Sequence, residues 1–133
     1  MPILEASRED AMKASWGGND CAINSRTDLT AVVDAVLTSA QPSMVFLEAP
    51  NGNVLVFGVG LDESVLTFVE PDGRSFHSIG KVDRRDLLVF LCRDQLEDFM
   101  GEMAVPTRDA LAAAEQFVSN HQRPPAVRWE PDW

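Results

Sequence analysis

Between residues 43 and 79 short apolar runs alternate with turns too tight to hold a crossover, and this fixes the kind of sheet the chain can form. Met44-Val45-Phe46-Leu47 is followed by Ala49-Pro50-Asn51-Gly52-Asn53. Pro suits the second position of such a turn, and Asn-Gly tolerates the positive φ it requires. Val54 to Val59 answers as a second strand. Gly60-Leu61-Asp62-Glu63 then turns the chain into 64–69, and Pro71-Asp72-Gly73-Arg74 repeats the hairpin chemistry before 75–79. Residues 87–91 are a further strand candidate. Parallel pairs need crossovers of about a dozen residues or more, so connections this short dictate an antiparallel meander.

A meander that is apolar on one face needs a cover, and two helical stripes are available. Leu29, Val32, Val33, Val36 and Leu37 share one face of a helix over about 28–39, with Ser25 or Thr27 free to cap it and Asp28 well placed in its first turn. Ala110, Leu111, Ala114, Phe117 and Val118 mark a second helix over about 107–119. Pro106 and Thr107 mark its start, with Thr107 expected to cap it. Pro124-Pro125 cannot continue a helix. Beyond them Val127 and Trp129 point to one side of a closing strand, Ala126, Arg128 and Glu130 to the other. The expected architecture is α+β: an antiparallel β-meander covered by two amphipathic helices and completed by a C-terminal strand, in one domain spanning 1–133.

Residues 1–26 are less regular. They read as a short strand at Ile3–Ser7, a helix over Glu9–Trp16 broken by Gly17-Gly18-Asn19-Asp20, and a strand at Cys21–Ser25. The start of the chain lacks a basic segment followed by a long apolar core, and no apolar run approaches the roughly 20 residues of a membrane span. Of the two cysteines, Cys92 lies in the apolar run 87–92, where a reduced, buried thiol is the expected state; a cytoplasmic setting follows.

Charge is the informative part of the composition. Twenty-one acids against eleven bases give a net charge of −10. Between Arg26 and Arg74 there is no Lys or Arg, whereas Asp28, Asp34, Glu48, Asp62, Glu63, Glu70 and Asp72 lie there. A second acidic cluster, Asp94, Glu97, Asp98 and Glu102, follows Arg93. Such a surface repels nucleic acid and anionic membranes and attracts basic partners.

The residues that carry chemistry are sparse. His77 falls in a strand and His121 at the polar end of a helix, and neither has partners at metal-ligand spacing. Gly58-Val59-Gly60 lacks the third glycine and following helix of a dinucleotide loop. Apolar neighbours would raise the pKa of Cys92 and leave it inert. No metal, cofactor or catalytic group is expected, and the chain reads as a binding protein rather than an enzyme.

Its end carries a resemblance. Val105-Pro106, Asp109-Ala110, Ala114, Phe117, Arg123-Pro124 and Val127-Arg128-Trp129-Glu130 resemble the closing segment of the first-numbered immunity family of bacterial polymorphic toxin systems. The order of elements over about 27–130 is also similar to that of immunity proteins directed against interbacterial DNA cytosine deaminase toxins. In that pattern Pro106, Phe117, Arg123, Pro124 and Trp129 are scaffold residues. The resemblance implies a cytoplasmic protein of interbacterial competition that neutralises a basic cognate toxin, a nucleic-acid deaminase, by covering its substrate groove or active site. The residues expected to meet the toxin are Asp62, Glu63, Glu70 and Asp72 on turns of the meander, and Glu97, Asp98, Phe99, Met100 and Glu102 on a loop before Pro106. Two other readings stay open: another acidic protein-binding module, such as a nuclease-toxin inhibitor or adaptor, and a small carboxylate-dependent enzyme.

Overall fold

The computed structural model describes residues 11–80 and 84–133. The expected strand at Ile3–Ser7 lies outside them. The described chain opens with a hairpin, β1 (Met12–Trp16) and β2 (Asn19–Ile23), turned by Gly17 at φ +53°. The helix expected over Glu9–Trp16 is therefore not formed in its described part. Met12 and Ala14 are buried while Lys13 is exposed, which is strand alternation, and Gly17-Gly18 serves as a two-residue hairpin turn.

Helix α1 (Arg26–Leu37) follows, with the Ser25 hydroxyl accepting the Asp28 amide at 3.3 Å. The meander then runs through β3 (Ser43–Glu48), β4 (Val54–Val59), β5 (Glu63–Ser64), β6 (Leu66–Val69) and β7 (Ser75–Ile79). Its Asn-Gly and Asp-Gly turns place Gly52 and Gly73 at φ +92° and +91°, as the turn chemistry requires. The segment expected as one strand over 64–69 is divided: β6 pairs with β4, whereas β5 pairs with β10 (Val105–Pro106). A second hairpin, β8 (Leu87–Cys92) and β9 (Gln95–Met100), precedes a short 3-10 helix (Gly101–Met103). Helix α2 (Thr107–Asn120) and β11 (Arg128–Pro131) complete the chain.

The principal sheet has the order β11-β7-β6-β4-β3-β1-β2, and every pairing along it is antiparallel. Period-two alternation sorts its central strands cleanly. Val45, Leu47, Leu55, Phe57 and Val59 face α1 and α2, where they meet Leu29, Val32, Val36, Ala110, Ala114 and Phe117. Met44 and Val56, with Phe46 and Val54 beside them, belong to a second core on the other face. The covering element there is the β8–β9 hairpin, which supplies Leu88, Phe90 and Phe99. It joins the sheet through one parallel bridge, Ser43 to Leu91. The protein is thus α+β, with helices on one face of an antiparallel sheet and a hairpin on the other. Central strands apolar on both faces, as β3 and β4 are, need both covers.

Candidate functional site

The acids singled out from the sequence divide by what holds them. Glu63 lies in β5, half-buried, and pairs with the guanidinium of Arg84, which also binds Asp86 at 2.6 and 2.7 Å. Hydrogen bonds that Arg84 donates to Asp86 and Glu63 raise its pKa, and the guanidinium in turn holds the Asp86 carboxyl below its ordinary value. Glu70 and Asp72 flank the β6–β7 turn and share Arg74, at 3.5 and 2.8 Å. The Arg74 amide and guanidinium lower the Asp72 pKa. Three of the expected contact residues are therefore committed to arginines of their own chain. Glu70 and Asp72 also sit at the far end of β6 from Glu63, where Pro71 abuts Gly52 of the β3–β4 turn.

The other acids differ. Asp62, Glu97, Asp98 and Glu102 have no ion-pair partner among the described residues. Asp62 is exposed at a turn clipped to the start of α2: its carbonyl accepts the Thr107 amide at 3.2 Å, and the Leu61 carbonyl accepts the Thr107 hydroxyl at 2.8 Å. The Thr107 hydroxyl is spent there, so it does not cap α2; Pro106 stands at that position without a side-chain bond. Glu97, Asp98, Phe99 and Met100 lie in β9 and not on a loop, a correction that decides their directions. Phe99 points inward, its ring 6.1 Å from Phe90, whereas Asp98 and Met100 are exposed on the opposite side. Glu102 is half-buried in the 3-10 helix.

The hairpin also carries residues that reading the sequence for acids passed over. Its register places Leu87 opposite Met100, Val89 opposite Asp98 and Leu91 opposite Leu96, all on the outward side. Leu87, Leu96 and Met100 are 56, 61 and 56% exposed. The run 87–91 looks like core throughout, but strand alternation buries only Leu88 and Phe90. At the tip Arg93 adopts φ +62°, which costs a non-glycine residue about 1–2 kcal/mol. Its guanidinium lies 4.1 Å from the Phe46 ring centroid, a cation–π contact that offsets part of that strain and folds the tip onto the sheet.

The remaining reactive groups are quiet. Cys92 is half-buried, not enclosed; burial and the neighbouring Glu97 push its thiol up, and burial with Asp28 and Asp20 does the same to the exposed Cys21. His77 and Ser75 both contact the Asp132 carboxylate, which fastens the tail to β7. No group of three or more His, Cys, Asp or Glu side chains among the described residues is placed to hold a metal ion. No helix among them is long and apolar enough to cross a membrane.

The residues of the closing motif are engaged within the fold. Phe117 is fully buried, edge-on to Phe68 at 6.1 Å. Arg123 lies 4.1 Å over the Phe76 ring. Pro124 is buried, and its carbonyl accepts the Trp129 indole N–H at 2.7 Å. Pro106 pairs with Glu63 in the small second sheet. The family model described as Immunity protein Imm1 matches residues 17–131, which takes in all five of these motif residues and begins at the β1–β2 turn, ten residues before the part alignable by element order. No curated protein matches the chain. With its match running from the first hairpin to the closing strand, the chain belongs to the Imm1 family of immunity proteins, antagonists of bacterial toxins.

Proposed function

We propose that this immunity protein neutralises a cognate toxin whose substrate groove is basic, in keeping with a nucleic-acid deaminase, by lying across that groove. The observation that carries the reading is the combination of a net charge of −10 with acids that have no internal partner among the described residues, Asp62, Glu97, Asp98 and Glu102. A toxin that acts on DNA or RNA must present a positive groove to its substrate. An acidic antagonist enters the same field, is steered by it, and displaces the substrate without needing a reaction of its own. Inhibition by occlusion asks for shape and charge complementarity and requires no catalytic group, cofactor or metal. Neutralisation inside the producing cell places the protein in the cytoplasm with the toxin domain it meets.

The test is co-expression with the toxin domain encoded beside it. Survival of the cells together with co-purification of a complex is the expected result. Killing undiminished by the protein, with no complex recovered, contradicts the reading. A deaminase partner leaves a second signature: cells with a lowered dose of the protein should accumulate cytosine-to-uracil changes, whereas strand breaks without base changes point to a nuclease toxin instead.

A further inference from the structure

We infer that the outward face of the β8–β9 hairpin is the surface that docks the toxin, and that the toxin meets it with an apolar patch rimmed by Lys and Arg; this rests on the immunity reading and specifies where it acts. Of the seven large apolar side chains exposed among the described residues, four belong to this hairpin: Leu87, Val89, Leu96 and Met100. Their register makes them neighbours, since Leu87 faces Met100 across the ladder and Val89 lies between that pair and the pair formed by Leu91 and Leu96. Among the described residues they belong to neither core cluster. The hairpin is held by its other side, through Leu88, Phe90 and Phe99 packed with Met44 and Val56, so the outward residues are free of structural duty. A cluster of large apolar groups with no internal partner marks an interaction site more often than a tolerated accident.

Charge selects the occupant. Asp98 stands within the apolar strip, opposite Val89, and Asp94 is exposed at the turn that ends it, whereas Glu97 lies opposite buried Phe90 and so belongs to the other side. The one base at the tip, Arg93, lays its guanidinium against Phe46, so Asp94 and Asp98 are the charges left at that end of the strip. An apolar centre with an acidic border is the complement of an apolar centre with a basic border, the arrangement in which the middle supplies affinity and the rim supplies rate and discrimination. A second copy of this chain is a poor occupant. Among the described residues β9 pairs only with β8, but two-fold pairing of its other edge would bring Glu97 and Asp98 against the same acids of the other copy.

The measurement is the affinity of purified protein for the purified toxin domain, comparing the wild type with Leu96→Arg/Met100→Arg, Leu87→Ser/Val89→Ser and a distant Glu70→Gln/Asp72→Asn control. Both hairpin variants are expected to lose about a hundredfold or more in affinity, as loss of two central contacts typically does, while the control binds as the wild type. Hydrogen exchange of the wild-type complex supplies a readout independent of mutation: β8 and β9 amides should be protected on binding. Hairpin variants that bind as tightly as the wild type, or an exchange footprint that leaves β8 and β9 untouched, overturn the proposal. So does a wild-type dimer that the hairpin variants dissociate without weakening toxin binding, which assigns the face to a second copy. Failure of the wild type itself to bind is a different result: it removes the immunity reading along with this one.

Discussion

Trp129 closes the chain with both parts of its side chain engaged. Its indole N–H donates to the Pro124 carbonyl, and its ring lies 6.1 Å from Phe68, which also contacts Phe117 and Phe76. Trp129→Ala should therefore lower unfolding free energy by about 3 kcal/mol in a denaturant titration, and Trp129→Phe, which keeps the ring contact but strands a half-buried carbonyl, by about 1 kcal/mol. Three residues further on, Asp132 is the clasp of the tail. Partial burial works to raise its pKa, but the Ser75 hydroxyl and the His77 ring outweigh this and hold it below the ordinary 3.8. A carboxyl lowered in the folded state contributes stability that is present above its ordinary value and lost as pH falls through the lowered one. Trp133, whose ring packs against Phe76 at 5.0 Å, should accordingly report release of the tail at a midpoint below pH 3.8. Asp132→Asn should show the released fluorescence already at pH 7. A tail transition centred well above pH 4 would contradict this account of Asp132.

The β8–β9 hairpin packs one face on the sheet and exposes the other, and the proposed docking role belongs to the exposed face. Phe90 is fully buried, and a Cβ added at Gly58 would come within 2.6 Å of its ring, so sheet and hairpin are in intimate contact there. Phe90→Ala should cost about 3–5 kcal/mol and accelerate amide exchange through β8 and β9, whereas Leu96→Ser on the outward face should change stability by no more than about 0.5 kcal/mol. Equal effects of the two substitutions would contradict the assignment of faces. The meander was legible because Asn51-Gly52 and Asp72-Gly73 announce their turns, and the helices because Leu29 to Val36 and Ala110 to Phe117 keep a helical period. β9 was not. Its turn is Arg93-Asp94, where a non-glycine residue takes positive φ, and Gln95–Met100 is too polar to read as a strand. β1 was missed because Ala11-Met12-Lys13-Ala14 favours a helix on propensity alone, and pairing with β2 and β3 overrides that preference. In the candidate site the acids themselves could be read off the chain, but their availability could not. Glu63 and Arg84 are far apart in sequence, and only the fold shows that the first is spent on the second. The outward apolar strip was hidden for the opposite reason: a run such as Leu87-Leu88-Val89-Phe90-Leu91 gives no sign of which residues a single covering layer will leave outside.

For the molecule as a whole, a charge of −10 acts at longer range than any contact. Steering by that field weakens as salt shortens the Debye length to ~8 Å near 0.15 M, whereas an apolar contact, once made, is little affected. Association with the toxin should therefore slow steeply with added salt while dissociation changes little. Reversing Asp62, Glu97 and Asp98 together should leave a folded protein whose binding is weaker and less sensitive to salt; Glu63 is best kept, since its loss would strip Arg84 of one of its two carboxylate partners. Salt dependence equal to that of the wild type would place the steering charges elsewhere on the surface. The central claim, that this protein silences its toxin by stoichiometric occlusion, is met most directly by titrating purified toxin domain with purified protein and following the toxin's activity on its own substrate. Activity should fall linearly and vanish at one equivalent; full activity in large molar excess of the protein would contradict the account.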